Sequence, residues 1–177
     1  MKLTELPGMN QERLLFKNAS TFDALQIIKQ VAEISSKEPE IIALAQCLKN
    51  FDDQSEFVQN LSTFVLKAAY FEPDHAQHQK VKSSLRILRD GKTNCVGYTT
   101  LISSLLSALK IPHTLRIVDT GGGGFNHIYP ILNDIPMDLV IQQDQSGKEH
   151  LTRAMNTAAT IGVEVPYKRK FDLKINP

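Results

Sequence analysis

The sequence predicts an α+β fold in which helices come first and an antiparallel sheet follows them. In the first 70 residues, apolar side chains recur at the three- and four-residue spacing of helices. From residue 114 to residue 141, the chain instead forms short strand-like segments separated by glycines and by a turn-prone pair. Because the helices precede the strands rather than alternating with them, the pattern indicates the α+β class.

The composition is that of one globular domain with a helical appendage. The chain has 177 residues, of which 42% are hydrophobic and 22% charged, so it can bury a core without disulfides or a structural metal. The formal net charge of +1 gives no overall field that would attract nucleic acid. Two cysteines, no apolar run of membrane-spanning length and no leader-like start favour a reducing, cytoplasmic location without a membrane partner.

Three helices are expected in an N-terminal helical region that covers residues 1–70. Ser20 and Thr21 can cap the first helix, and Asp52 or Asp53 can open the third. The apolar stripes of these helices fit a layer that packs on the rest of the chain.

A further, buried helix is expected from Cys95 to about Lys110, and Pro112 stops it. Thr93 and Asn94 have side-chain oxygens suited to an N-cap, so Cys95 falls in the first turn. There the unpaired backbone N–H groups and the helix dipole favour an anion such as a thiolate. Cys95 is therefore a candidate nucleophile. The apolar stripe of this helix consists of Leu101, Ile102, Leu105, Leu106 and Leu109.

Two strands are expected at residues 125–132 and 135–141, joined by the pair Asn133-Asp134. These strands complete a core that spans residues 71–145. Residues 146–177 are expected to form a C-terminal extension that packs on this core.

The expected hairpin brings a carboxylate to a histidine. With a two-residue turn, Tyr129 lies opposite Asp138, and His127 projects from the same face as Tyr129. Asp138 is then the diagonal neighbour of His127, with Cα atoms roughly 7–8 Å apart. A carboxylate in this position can orient the base of a nucleophile–base–orienter set. A three-residue loop would instead turn Asp138 to the opposite face.

Each of these residues alone also has a structural explanation. A cysteine beside a buried helix is usually a small core residue, and Cys47, on the second expected helix that Pro39 begins, is expected to be buried in that way. An unpaired carboxylate in an apolar strand is costly, which makes Asp138 harder to explain without His127. Cys95, His127 and Asp138 together favour a catalytic set.

Five segments of the chain resemble motifs of the transglutaminase-like superfamily. The segments are GKTNCVGYTTL at residues 91–101, SALKIP at 107–112, FNHIY at 125–129, PMD at 136–138 and QKVKSS at 79–84. The resemblance covers residues 71–140. Lys110 and Ser84 depart from the family pattern, which usually has glycine and proline there.

The resemblance implies a papain-like core, in which a helix bearing the nucleophile Cys95 packs on an antiparallel sheet with His127 as base and Asp138 as orienter. The family includes protein cross-linkers, deamidases, peptidases, peptide:N-glycanases and members without catalytic residues. Small versions are similar to proteins of bacteria and of their phages or mobile elements. The implied function is thiol-dependent acyl transfer or hydrolysis at a carboxamide or peptide bond. The alternative is a non-catalytic binding or assembly module, which a phage-encoded chain would carry in the virion.

The implied mechanism needs donors for an oxyanion and walls for a cleft. The backbone N–H of Cys95 is the first donor, and Gln79 or Gln77 is the candidate for the second. The substrate is expected to be a protein or peptide, and no cofactor is expected. The histidines lack metal-ligand spacing, so no metal is expected either. The candidates for the cleft wall are Asn94, Tyr98 and Tyr129, although Tyr98 also suits simple packing.

Overall fold

The structure, a computed structural model, describes residues 13–16, 21–49, 53–72, 79–121, 124–140 and 162–177; for residues 13–16, 79 and 80 it describes the backbone alone. These parts of the chain contain five helices and a four-stranded antiparallel sheet, which is the expected α+β class. None of the described helices combines the length and the apolar character needed to cross a membrane.

The helices are α1 (Thr21–Ser35), α2 (Pro39–Leu48), α3 (Gln54–Ala68), α4 (Ser84–Asp90) and α5 (Cys95–Ala108). The strands are β1 (Arg13–Phe16), β2 (Tyr70–Phe71), β3 (Gln79–Lys82), β4 (Lys92–Thr93), β5 (His113–Asp119), β6 (His127–Leu132), β7 (Ile135–Pro136) and β8 (Arg169–Ile175).

The main sheet has the strand order β7-β6-β5-β8, and all its neighbours are antiparallel. Strand β8 was not expected, since residues 146–177 were expected only to pack on the core. The alternation of Phe171, Leu173 and Ile175 is the period-two signal that would have predicted this strand. Strands β1 and β3 form an antiparallel pair, and β2 and β4 form a short parallel pair.

Helix α5 is the centre of the molecule. Twelve of its residues are buried, so other parts of the protein pack against every side of this helix. One core cluster joins α5 to α2, α3 and α4, and a second joins the start of α5 to α1 and the sheet. The expected stripe is confirmed for the four residues that are fully buried: Leu101, Ile102, Leu105 and Leu106.

Local signals at the helix ends behave as expected. The side chain of Asn94 caps α5 by accepting from the Gly97 backbone N–H at 3.1 Å, and Asp53 caps α3. Pro39 occupies the first turn of α2. The expectation for Cys47 is wrong, because its side chain is exposed. On α2 the fully buried positions are four residues apart, and Cys47 lies off that stripe.

The hairpin between β6 and β7 has the expected register. Leu132 pairs with Ile135, and both turn residues, Asn133 and Asp134, have positive φ angles of 47° and 63°. Those angles are typical of the tight turn that matches the twist of paired strands. The expected second strand, 135–141, is too long, because β7 ends at Pro136 and residues 139 and 140 are helical.

Candidate active site

Cys95 is the first residue of α5, where the sequence places it, and its side chain is partly exposed. The preceding strand β4 approaches the helix very closely. A Cβ atom on Gly97 would lie only 1.6 Å from Thr93 Oγ1, so the glycine leaves the space that Thr93 occupies. The first-turn N–H groups of Cys95 and Val96 have no partner within the helix, as in any helix, which leaves them suited to bind an oxyanion.

His127 and Asp138 are in direct contact. The Nε2 atom of His127 lies 2.9 Å from each carboxylate oxygen of Asp138. The Asp138 side chain is fully buried, and 12% of the His127 side chain is exposed. A buried carboxylate is costly unless it is paired, so the imidazole is the group that makes this aspartate tolerable in the core.

The Cys95 side chain is the second group that raises the pKa of His127, by hydrogen bonding and by its charge. Because Nε2 faces Asp138, the nitrogen left for the sulfur is Nδ1. Burial alone would lower the pKa of His127, but the hydrogen bonds and negative charges of Asp138 and Cys95 outweigh it. Together they raise the pKa of His127 from 6.5 to about 10, so the ring is an imidazolium at neutral pH.

Tyr129 packs against the ring of His127, with ring centroids 5.5 Å apart. Its hydroxyl donates to a carboxylate oxygen of Glu164, and Arg116 also donates to Glu164, at 3.1 Å. Burial and the Glu164 carboxylate raise the pKa of Tyr129, which keeps the phenol protonated. Nothing in the sequence pointed to Glu164, since it lies 35 residues beyond Tyr129 in the chain.

Hydrogen bonds hold both ends of the loop that precedes His127. The carboxylate of Asp119 accepts from the backbone N–H of Gly121 at 2.9 Å and from the guanidinium of Arg169. The Gly121 N–H, and after it Arg169, lower the pKa of Asp119. The side-chain oxygen of Asn126 accepts from the backbone N–H of Thr120 at 3.1 Å, so β6 begins from a defined position.

The other candidates take different roles. Tyr98 is only 2% exposed and donates to the carbonyl of Ala69 at 2.9 Å, which agrees with the packing alternative. Tyr129 is 1% exposed, and its ring packs against that of His127. The Asn94 side chain, also expected to line the cleft, acts as the helix cap.

The sequence offers Gln79 and Gln77 as candidates for the second oxyanion donor. Gln77 lies outside the described residues, and Gln79 belongs to β3 with only its backbone described. Within the described parts of the chain, no cluster of three or more His, Cys, Asp or Glu side chains is arranged to hold a metal ion.

Comparison of this chain with protein-family models, with curated proteins and with solved structures finds no match.

Proposed function

We propose that the protein is a thiol-dependent enzyme that transfers or hydrolyses an acyl group at a carboxamide or peptide bond of a protein or peptide. One observation supports this above the others: the His127 ring contacts the buried Asp138 carboxylate, and hydrogen bonding and charge from the Cys95 side chain act on the same ring. A purely structural histidine needs no thiol at a helix start as its second partner.

In the first half of the proposed reaction, the Cys95 thiolate attacks the carbonyl carbon, and its sulfur forms the new bond. The carbonyl π electrons move to the oxygen, where the unpaired N–H groups at the start of α5 can stabilise the negative charge. The imidazolium of His127 then gives its proton to the leaving nitrogen. The carbon–nitrogen bond breaks, an amine departs, and a thioester on Cys95 remains.

In the second half, a water molecule or a second amine attacks the thioester. The imidazole of His127, now neutral, accepts the proton of the attacking group, and the thiolate of Cys95 leaves. Asp138 remains ionised throughout and stabilises the imidazolium by contact with Nε2. Water gives hydrolysis and an amine gives transfer, so the same three side chains serve both outcomes.

The proposed function agrees with the resemblance to the transglutaminase-like superfamily, and we propose the papain-like core with it. The proposal is supported by the contact of His127, at the start of β6, with Asp138, beyond β7, and by the effect of Cys95, at the start of α5, on the same imidazole. A location in the cytoplasm, or in a virion for a phage-encoded chain, is part of the same proposal.

The test is an assay on peptide amides and on glutamine-containing protein, with and without an amine acceptor. We expect activity to fall by about a hundredfold or more for Cys95→Ala and His127→Ala, since nucleophile and base take part in bond making. Asp138→Asn should cost less, because asparagine can still hold the imidazole by one hydrogen bond. Cys47→Ala is the matched control, because Cys47 is an exposed thiol that the mechanism does not use.

A chloromethyl ketone probe gives a second readout that does not depend on knowing the substrate. The probe should label Cys95 in wild type and in Cys47→Ala, and it should label neither His127→Ala nor Cys95→Ala at that position. If Cys95→Ala matches wild type on all substrates while its fold is intact, the enzyme proposal fails. The non-catalytic binding or assembly module would then be the better account.

A further inference from the structure

We propose that Thr99 is a positioning residue of this site, which holds the start of α5 against the strand that carries His127; the inference rests on the proposed function. Thr99 is completely buried and lies one helical turn after Cys95. Its hydroxyl oxygen is 2.8 Å from the carbonyl oxygen of Cys95 and 3.2 Å from that of Ile128. The hydroxyl proton of Thr99 is therefore shared between two carbonyls: that of Cys95, the proposed nucleophile, and that of Ile128, which follows the proposed base His127.

The carbonyl of Ile128 needs this donor because of where β7 ends. In an antiparallel strand, the carbonyls of residues two apart point to the same side. The carbonyl of Pro130 accepts from the backbone N–H of Met137 at 2.9 Å, so the carbonyl of Ile128 also points toward the β7 side. A continuing strand would offer it the N–H of Leu139, but residues 139 and 140 are helical. The hydroxyl of Thr99 takes the place of that strand donor.

The chain leaves the sheet at the point where Asp138 contacts His127. Asp138 follows the last hydrogen bond of the hairpin and lies beside Nε2 of His127 instead of continuing the ladder. At this edge of β6, the hydroxyl of Thr99 in α5 makes the polar link to the carbonyl of Ile128. An unlinked buried carbonyl there would favour a shift of the helix, and a shift of about 1 Å separates a thiol from its base.

The neighbouring residue supplies a matched control. Thr100 is also completely buried, and its hydroxyl donates to the carbonyl of Val96 at 2.8 Å, the same bond to the preceding helical turn that Thr99 makes to Cys95. The structure gives its hydroxyl no link to β6 comparable to the link from Thr99 to Ile128. Thr99→Val and Thr100→Val therefore remove the same hydroxyl from the same helix, but only Thr99→Val removes the link.

The experiment measures the rate of alkylation of Cys95 by iodoacetamide between about pH 4 and pH 10 in the full chain, located by mass spectrometry. All variants carry Cys47→Ser, because the exposed Cys47 would otherwise react as well. We expect Thr99→Val to lower the rate at pH 6 by about tenfold, since the thiolate loses the imidazolium beside it. Thr99→Ser should restore the rate, and Thr100→Val should keep the wild-type pH profile.

Thermal unfolding of each variant separates positioning from general stability. A loss of stability shared by both valine variants, with unchanged alkylation profiles, would overturn the role of Thr99. Thr99→Ala is a second test that inserts no additional methyl group beside the carbonyls. If Thr99→Val and Thr99→Ala both fail to fold while Thr99→Ser and Thr100→Val fold, Thr99 determines the fold and the positioning role is wrong.

Failure of the proposed function has a different signature. In that case wild-type Cys95 itself would show the profile of an unassisted thiol at pH 6, and the inference would fall with it. A wild-type Cys95 that reacts fast at pH 6, together with an equally fast Thr99→Val, would leave the proposed function standing and remove only the role of Thr99.

Discussion

His127 is the residue whose charge depends on both of its neighbours. The carboxylate of Asp138 is completely buried and faces Nε2, and Cys95 is the other group whose hydrogen bonding and charge raise the pKa of the ring. Burial of an imidazolium is unfavourable in isolation, so the charged ring persists only while these two groups compensate for lost hydration. The chemistry of the site therefore depends on whether the ring is protonated at neutral pH.

We expect an NMR titration of the histidine ring nitrogens to give His127 a pKa of about 10, far above the ordinary value of 6.5. Asp138→Asn should bring this pKa down, because it removes the charge in contact with Nε2. The raised pKa means that His127 contributes stability that is complete below pH 6.5 and is lost as the pH rises toward 10. A His127 that titrates near 6.5 in wild type would contradict the paired arrangement.

At the scale of elements, the approach of β4 to α5 positions Cys95. The chain runs from β4 into the helix with one residue, Asn94, between them, and the Thr93 side chain fills the space above Gly97. A side chain at position 97 would have to push β4 away from the first turn of the helix. The position of Cys95 thus depends on a glycine at position 97, where Thr93 leaves no room for a side chain.

Replacing Gly97 with alanine is expected to destabilise the protein, which is the reverse of the usual effect of this substitution inside a helix. Alanine inside a helix is ordinarily more favourable than glycine by about 0.5–1 kcal/mol. In Gly97→Ala, however, the new Cβ would lie 1.6 Å from Thr93 Oγ1, so we expect the free energy of unfolding to fall by about 1–3 kcal/mol in urea denaturation. Gly124→Ala is the control, because its Cβ would have no heavy atom within 4 Å. A Gly97→Ala variant that is more stable than wild type would show that β4 can move away from the first turn of α5 at little cost.

The features predictable from sequence are those that depend on neighbours in the chain. The Asn133-Asp134 turn set the register correctly because both residues tolerate positive φ, and Asn94 capped α5 because its side chain reaches the next turn. That register brings the chain toward His127, and Asp138 makes the contact from just beyond the end of β7, which is shorter than expected.

The features that were missed depend on residues far apart in the chain. Glu164 meets Tyr129 from 35 residues away, and β8 pairs with β5, so that Arg116 contacts Asp172 from 56 residues away. No local pattern selects such partners, because only the complete sheet brings them together. The role of Thr99 was missed for the same reason, since its partner Ile128 is 29 residues away.

At the scale of the whole molecule, α5 joins the site to the cores on both sides of it. Its first turn carries Cys95, and its middle carries Ser103, whose hydroxyl lies 2.7 Å from Nε2 of His113 at the start of β5. The Nδ1 atom of His113 lies 2.9 Å from the carbonyl of Ile111. A carbonyl only accepts, so Nδ1 carries a hydrogen; burial favours the neutral ring, in which Nε2 accepts from the hydroxyl of Ser103. His113 is therefore buried in its neutral form, in contrast to His127.

This contrast predicts how stability responds to mild acid. Burial lowers the pKa of His113 below 6.5, with partial opposition from the Ile111 carbonyl, so below pH 6.5 the unfolded chain takes up a proton that the folded chain does not. We expect the contribution of His113 to the free energy of unfolding to fall as the pH drops from 7 to 5. His127 acts in the opposite direction over this range, because its folded-state pKa is raised.

Comparing His113→Gln with wild type isolates the effect of His113, since glutamine can donate and accept hydrogen bonds without titrating. In urea denaturation, the free energy of unfolding should fall less between pH 7 and pH 5 for the variant than for wild type. An equal fall in both proteins would mean that His113 does not couple folding to pH.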